Sequence, residues 1–280
     1  MLACPLCHTP LSRTRHSYVC QNQHGFDIAK EGYVNLHAVQ HKNSHQAGDT
    51  LSSLQARTRF LGGGFYAPLR QNAVEILQTH RPIKPNTALD IGAGVGYYTE
   101  ALADLFANVV GLDIAKPAIK LASRADQKRH TTTKSPIQWV VGTSAVLPIL
   151  DNSVGVCTSF FSPLPVSEMH RVLADDGRLL VAVAGERHLL ALRERLFDTV
   201  RPHNPAKVAK LLAPVFCQTD EWVINHEFTL QFNAISDLIA MTPYAYKATP
   251  TNRKRVLDLP KLTLTLSLIH ISEPTRPLYI

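Results

Sequence analysis

No run of eighteen or more apolar residues occurs in the chain, so a membrane-spanning helix is not expected. The N-terminal MLACPLC lacks the basic start, apolar middle and small-residue cleavage site of a secretory leader, which makes the cytoplasm the expected location. Cysteine is scarce and odd in number. Three of the five cysteines crowd into the first twenty residues, while Cys157 and Cys217 stand apart in apolar surroundings, a distribution that argues against a disulfide framework and for metal. Internal repeats and low-complexity tracts are missing too, and 45% hydrophobic residues over 280 positions exclude collagen, coiled coil and wholesale disorder. Acids are the minority charge, 22 against 29 Lys and Arg, leaving +7 before any of the 13 His is counted. An anionic partner such as nucleic acid is therefore expected.

That charge is uneven, with seven Lys or Arg against three acids in the first 70 residues. The polar stretch HAVQHKNSHQAGDT (37–50) reads as a linker, and His41 and His45 within it as loop residues. From about residue 85 apolar strands alternate with amphipathic helices: strands at 87–91, 108–114, 137–141, 153–161 and 177–184, with helices at 97–106 and 114–123. Such alternation predicts a parallel, doubly wound α/β sheet. After a helix at 189–200, segments 221–232 and 259–266 alternate at period two around a helix at 234–241, as late strands of a mixed sheet do. The expected units are a metal-binding module at 1–36, a linker and helix at 37–75, and the α/β domain at 76–266. The last stretch, SLIHISEPTRPLYI (267–280), resembles a translated sequencing adaptor and is expected to be a non-native tail outside the fold.

Cys4, Cys7, Cys20 and His24 spell C-x2-C-x12-C-x3-H, two short knuckles joined by a hairpin-sized loop. Zinc takes four tetrahedral N or S ligands, and four protein ligands leave no open position for an activated water, so the ion should be structural. A module this small could not fold on its own apolar area without it. His8 and His16 are rival ligands, but a neighbouring Cys7-His8 pair is awkward for one ion.

Asp90-Ile-Gly92-Ala-Gly94-Val-Gly96 follows one buried strand, and Asp113 ends the next. Glycines there let a ligand approach the backbone, and the second acid can accept hydrogen bonds from ribose hydroxyls. An acid opening a GxGxG turn suits S-adenosylmethionine, which has a cationic methionine end and no pyrophosphate. A nicotinamide enzyme is the alternative, and a turn that binds nothing the plainest one.

The two motifs together give the chain its resemblance to the bacterial RlmA family of 23S ribosomal RNA guanine-N1 methyltransferases. The matching stretches are CPLCHTPL, SYVCQNQHGFDIAKEGYVNL, VQHKNSHQAGD, QARTRFL, FYAPLR, LDIGAGVGYYT, GLDIAK, GERHLLAL and MTPYAYK, spanning residues 4 to 247. The resemblance implies a Rossmann-like class I methyltransferase domain behind a small zinc-ribbon-like domain that recognises RNA. It also implies a homodimer and methylation of a guanosine in helix 35. It places Cys4, Cys7, Cys20 and His24 on the zinc, and Tyr66, the Gly94-Val95 turn and His188 on the cofactor. Val95 departs from the acid that some relatives carry.

Asp90, Gly92, Gly96 and Asp113 complete the expected cofactor site, and Arg13, Arg15, Lys30, Lys42, Arg57 and Arg59 are the candidate RNA phosphate contacts, with Tyr18, Phe26 and Tyr33 as stacking neighbours. Phe160 and Phe161 are candidates to stack on an extruded guanine. No catalytic base stands out among Asp90, Asp113 and Asp151. Two other functions remain open at this point: a small-molecule methyltransferase, or a zinc-ribbon RNA-binding protein without catalysis.

Overall fold

A computed structural model describes residues 1–37, 49–80, 84–129 and 137–274. Three short strands form an antiparallel ribbon: β1 (Leu11–Arg13), β2 (Ser17–Cys20) and β3 (Gly25–Asp27). The chain then enters β4 (Val34–Asn35), and α1 (Leu51–Gly62) and α2 (Ala67–Thr79) follow. Thr50 starts α1 by accepting a hydrogen bond from the Ser53 N–H, the usual work of a short hydroxyl at a helix entrance.

The α/β unit runs β5 (Thr87–Ile91), α3 (Thr99–Leu102), β6 (Asn108–Asp113), α4 (Lys116–Arg129), β7 (Ile137–Val141), β8 (Val154–Phe160), α5 (Val166–Val172) and β9 (Leu173–Ala184). Helices α6 (Leu190–Leu196) and α7 (Ala206–Leu212) lead to the long strand β10 (Asp220–Gln231). Then come α8 (Phe232–Ala240), α9 (Tyr244–Lys247), α10 (Pro250–Leu257) and β11 (Lys261–Pro274).

The eight-stranded sheet has the order β10-β11-β9-β8-β5-β6-β7-β4, parallel from β4 to β9 and antiparallel at β11 and β10. All seven residues of β8 are buried because helices cover both faces, which explains why it shows no alternation in the sequence. In β9 the alternation survives as a division of labour. Leu180 and Ala182 join the core under α1, α2 and α8, while Leu179 and Val181 join the opposite core with Met169 and Phe216. Strand order reverses at β5, whose neighbours β6 and β8 come from opposite directions of the chain, so their carboxyl ends open a crevice there.

Three expectations need correcting. The helix expected over 97–106 is helical only over Thr99–Leu102; beyond it Leu105 N–H bonds the Leu102 carbonyl, a tighter turn that delivers the chain into β6. The segment expected to lie outside the fold from residue 267 continues β11, pairing Leu268 with Ala184 and Pro274 with Arg178. Its leucines at 262, 264, 266 and 268 keep one period-two face in the core, so the strand has no physical reason to stop at 266. Finally, a unit ending at residue 36 cuts the eight-stranded sheet, because β4 pairs with β7 and the Leu36 N–H bonds the Val141 carbonyl. Glu31, buried against α4, meets Lys120 and Arg124 and ties the ribbon there as well. Segment 37–50 retains its expected linker role only in sequence, since 38–48, with Lys42, His41 and His45, lies outside the described residues.

Candidate metal centre and cofactor site

In the ribbon, two tight turns bring four ligand atoms together. The His8 N–H bonds the Cys4 carbonyl and the Gln23 N–H bonds that of Cys20, and His8 and Gln23 both take positive φ values, 58° and 65°. The ligand atoms of Cys4, Cys7, Cys20 and His24 lie within 4.8 Å of one another. Cys7 Sγ stands 3.7 Å from Cys20 Sγ, and His24 Nδ1 stands 3.5 Å from both Cys4 Sγ and Cys20 Sγ. A tetrahedral zinc with legs of about 2.3 Å to sulfur and 2.0–2.1 Å to nitrogen has edges near ~3.8 and ~3.6 Å, so these residues fit the ion. The Thr9 hydroxyl, 3.2 Å from Cys7 Sγ, and the Thr9 backbone lower that thiol to about 5, favouring the thiolate a metal takes. His8 and His16 are exposed and outside the cluster.

At the crevice, Gly92, Gly94 and Gly96 all have positive φ, at 77°, 55° and 87°. Crowding separates their roles. A Cβ on Gly92 would overlap Ser162 Cβ at 2.3 Å, whereas one on Gly94 would meet nothing nearer than Arg57 Nη1 at 3.7 Å. Gly94 is therefore the one of the two whose bare backbone has room beside it, as a cofactor cradle requires. Asp113 grips the turn from below, its carboxylate accepting from the Gly94 N–H at 2.9 Å and the Ala115 N–H at 2.8 Å. Val95 turns its side chain onto the core, leaving only backbone for a ligand.

Asp90 lies beneath the turn, 2% exposed, with the Thr99 hydroxyl donating to one oxygen at 2.5 Å and the Thr158 hydroxyl to the other at 2.9 Å. Both oxygens are thus committed, and Asp90 braces α3 and β8 against β5 instead of reaching the crevice. Burial lifts its pKa to about 6, against the two hydroxyls that favour the ionised form.

Tyr66, at the entrance of α2, and His188, after β9, are both buried and meet edge-on at 6.4 Å between ring centroids. Phe161 completes a wall, 6.2 Å from Tyr66 and 5.9 Å from His188. It has φ 56° and is 45% exposed, while Phe160 stacks inward on Tyr98 at 4.3 Å. Burial, then the nearby His203 and Arg193, push His188 down to about 3, so its ring is neutral. His188 Nδ1 and the Tyr98 hydroxyl are two of five buried side-chain polar atoms without a partner among the described residues, and such atoms call for a water or a ligand. The cradle, Asp113 and these two groups fit an adenosyl cofactor.

The basic candidates divide. Arg13 and Arg15 are exposed on the β1–β2 hairpin, and Lys30 is exposed on the turn before β4. Arg57 instead faces Gly94, donates to the Met241 carbonyl at 3.0 Å and pairs with Asp49. Arg59 forks onto Asp237, holding α1 to α8. Tyr18 and Tyr33 are buried in the two cores and Phe26 packs against one, so none of the three is a free stacking surface. Helical phase and tertiary partners, invisible in a count of charges and aromatics, separate these side chains: Arg57 and Arg59 are paired within the fold, and Arg13, Arg15 and Lys30 are exposed. Two features went unnoticed in the sequence: the Thr99–Asp90–Thr158 triad and the Asp49–Arg57 pair. The triad draws its members from three separate elements, and the pair spans the entrance of α1 at a separation that is not the i, i+3 or i, i+4 spacing of helix pairs.

Two outcomes follow. Asp90 binds its proton more tightly folded, at about 6, than unfolded, near ~4, so it makes the native state less stable as pH rises across that window and leaves a constant deficit above it. Asp90→Asn removes this slope: urea midpoints of the variant should gain on wild type from about pH 4 to 6, by on the order of 2 kcal/mol, and parallel profiles would exclude a buried titrating Asp90. Metal analysis should find about one zinc per chain. Cys20→Ser should lose it and lower the melting temperature, and an unchanged melt would separate the cluster from folding.

A family model described as "RlmA, N-terminal", a zinc ribbon, matches residues 2–45, and a "Methyltransferase domain" model matches residues 89–181. The "23S rRNA (guanine(748)-N(1))-methyltransferase" of Streptomyces fradiae is 31% identical over 273 residues, 95% of this chain and 94% of its own. YxjB of Bacillus subtilis (strain 168) is 31% identical over 92% of this chain and 90% of its own. Among solved structures, the YcgJ protein of Bacillus subtilis superposes with a TM-score of 0.51 at 18% identity, covering 74% of this chain and 99% of that one, a likeness of fold. Structural zinc and S-adenosylmethionine are the cofactors that accompany the ribbon and the methyltransferase sheet. With identity at this level sustained across both the ribbon and the sheet, the chain belongs to the RlmA-type family of 23S rRNA guanine-N1 methyltransferases.

Proposed function

We propose that the protein transfers the methyl group of S-adenosylmethionine to N1 of a guanosine in the helix 35 hairpin of 23S rRNA. The observation that carries this reading is the near full-length likeness to a 23S rRNA guanine-N1 methyltransferase, ribbon included, because matches restricted to the methyltransferase segment span only about a third of the chain. S-adenosylmethionine, when bound, supplies an electrophilic methyl on a positively charged sulfur. The turn at Gly92, Gly94, Val95 and Gly96 would hold it, with Asp113 available to ribose hydroxyls, Asp90 bracing β5, and Tyr66 and His188 lining the crevice.

A base must leave its stack to be modified, and Phe161 offers it an exposed ring at the carboxyl end of β8. Guanine N1 carries a proton that passes to water as the methyl leaves sulfur for N1, with S-adenosylhomocysteine as the leaving group. Asp90 and Asp113 are committed to hydroxyls and backbone N–H groups, and Asp151 to Arg171 at 2.6 Å. Rate then comes chiefly from alignment of N1 behind the methyl, with the neutral His188 and its unpartnered Nδ1 as the polar group beside Phe161. Arg13, Arg15 and Lys30 form the phosphate-binding face; Lys42 belongs to the same proposal. A ribosomal RNA substrate implies a cytoplasmic enzyme, and the family resemblance a homodimer.

The purified chain, given S-adenosylmethionine and a helix 35 transcript, should create a reverse-transcription stop at one guanosine, because an N1 methyl blocks pairing. Absence of a stop there, with transfer to other RNA, would remove helix 35 as the substrate. Replacing Arg13 and Arg15 together by Ala should weaken hairpin binding and flatten its salt dependence by roughly one to two units of log–log slope. Unchanged affinity and slope would take both residues out of the footprint.

A further inference from the structure

We infer that Arg57 binds the carboxylate of the cofactor's methionine end, and that Asp49 is an internal carboxylate standing in that place until the cofactor arrives. The inference rests on the S-adenosylmethionine reading above and assigns its amino-acid end to residues outside the glycine turn.

Arg57 sits on α1 with its guanidinium Nη1 3.7 Å from the place a Cβ would take on Gly94, the least crowded glycine of the turn. One end of the fork is anchored: Nη2 donates to the Met241 carbonyl at 3.0 Å, at the end of α8. The other end, Nη1, holds the Asp49 carboxylate, the residue just before the Thr50 cap of α1. A planar guanidinium fixed on one side presents its remaining N–H groups in the geometry that a carboxylate matches. Asp49 shows the chemistry that the position accepts, and its side chain, 39% exposed, can yield to another acid.

Asp113 lies within reach of the same charges. Burial raises its pKa first of all, the Gly94 and Ala115 N–H groups lower it, and Asp49 and Arg57 add opposing smaller effects. The two ends of an adenosyl amino acid thus have anchors of opposite sign on either side of Gly94: an acid for ribose hydroxyls, a cation for the carboxylate. An RNA phosphate suits Arg57 less well, because the side chain is only 26% exposed and braced from behind.

Calorimetry on the full chain separates these roles with two probes, S-adenosylhomocysteine, which carries the amino-acid end, and 5′-methylthioadenosine, which lacks it. Arg57→Met should weaken S-adenosylhomocysteine ~10- to 100-fold and leave 5′-methylthioadenosine within about twofold. Asp49→Asn should tighten S-adenosylhomocysteine alone. Equal loss of both probes in Arg57→Met, or loss of helix 35 affinity with S-adenosylhomocysteine unchanged, would overturn the assignment. Wild-type protein that binds neither probe would instead sink the cofactor reading itself.

Discussion

The functional end of the molecule depends on one glycine turn held from both sides. Three alternating glycines take positive φ at no steric cost, but each is loose in an unfolded chain, and here fixed partners hold the turn in one shape. Asp113 binds the Gly94 N–H, while the Ser162 hydroxyl donates to the Ile91 carbonyl at 2.6 Å and fills the space beside Gly92. Because those partners end β6 and follow β8, the turn is shaped by the sheet's order, not by its own sequence. Phe161, one residue before Ser162, inherits its position from the same bond, so the cofactor cradle and the aromatic wall are set by a single junction.

The zinc ribbon contributes by being continuous with that sheet. Its chain leaves as β4 alongside β7, Tyr18 enters the same core as Ile149 and Val140, and Leu2 bridges to Ile149. Glu31 places a buried carboxylate against two cations of α4, the helix that follows Asp113. The ribbon is thereby joined to the eight-stranded sheet at several points, so the zinc cluster and the crevice belong to one continuous fold.

What the sequence disclosed follows physical lines. Strands 87–91 and 137–141 are found at those bounds because short apolar runs between polar turns have few alternatives, and the metal cluster is found whole because four ligands close in a chain of twenty-one residues are a local pattern. The glycine turn and Asp113 were legible for the same reason. The helix over 97–106 shrank because Asn108 must already be extended beside Asn86 and Thr87, a constraint imposed from another strand. The adaptor-like segment from residue 267 follows directly on the alternating LTLTL of 262–266, and the strand continues from there along β9 to Pro274.

The charge surplus is where counting and structure part most clearly. Of the positive side chains in the first 70 residues, Arg59 is held by Asp237, Arg57 by Asp49 and Met241, and Arg70 lies over the Tyr97 ring at 5.1 Å. These cations support the crevice. Arg13, Arg15 and Lys30 stay in water on the ribbon, where a polyanion can displace their counterions and gain from doing so. The described positive side chains of the first 70 residues thus divide between a group held within the fold and an exposed group on the ribbon.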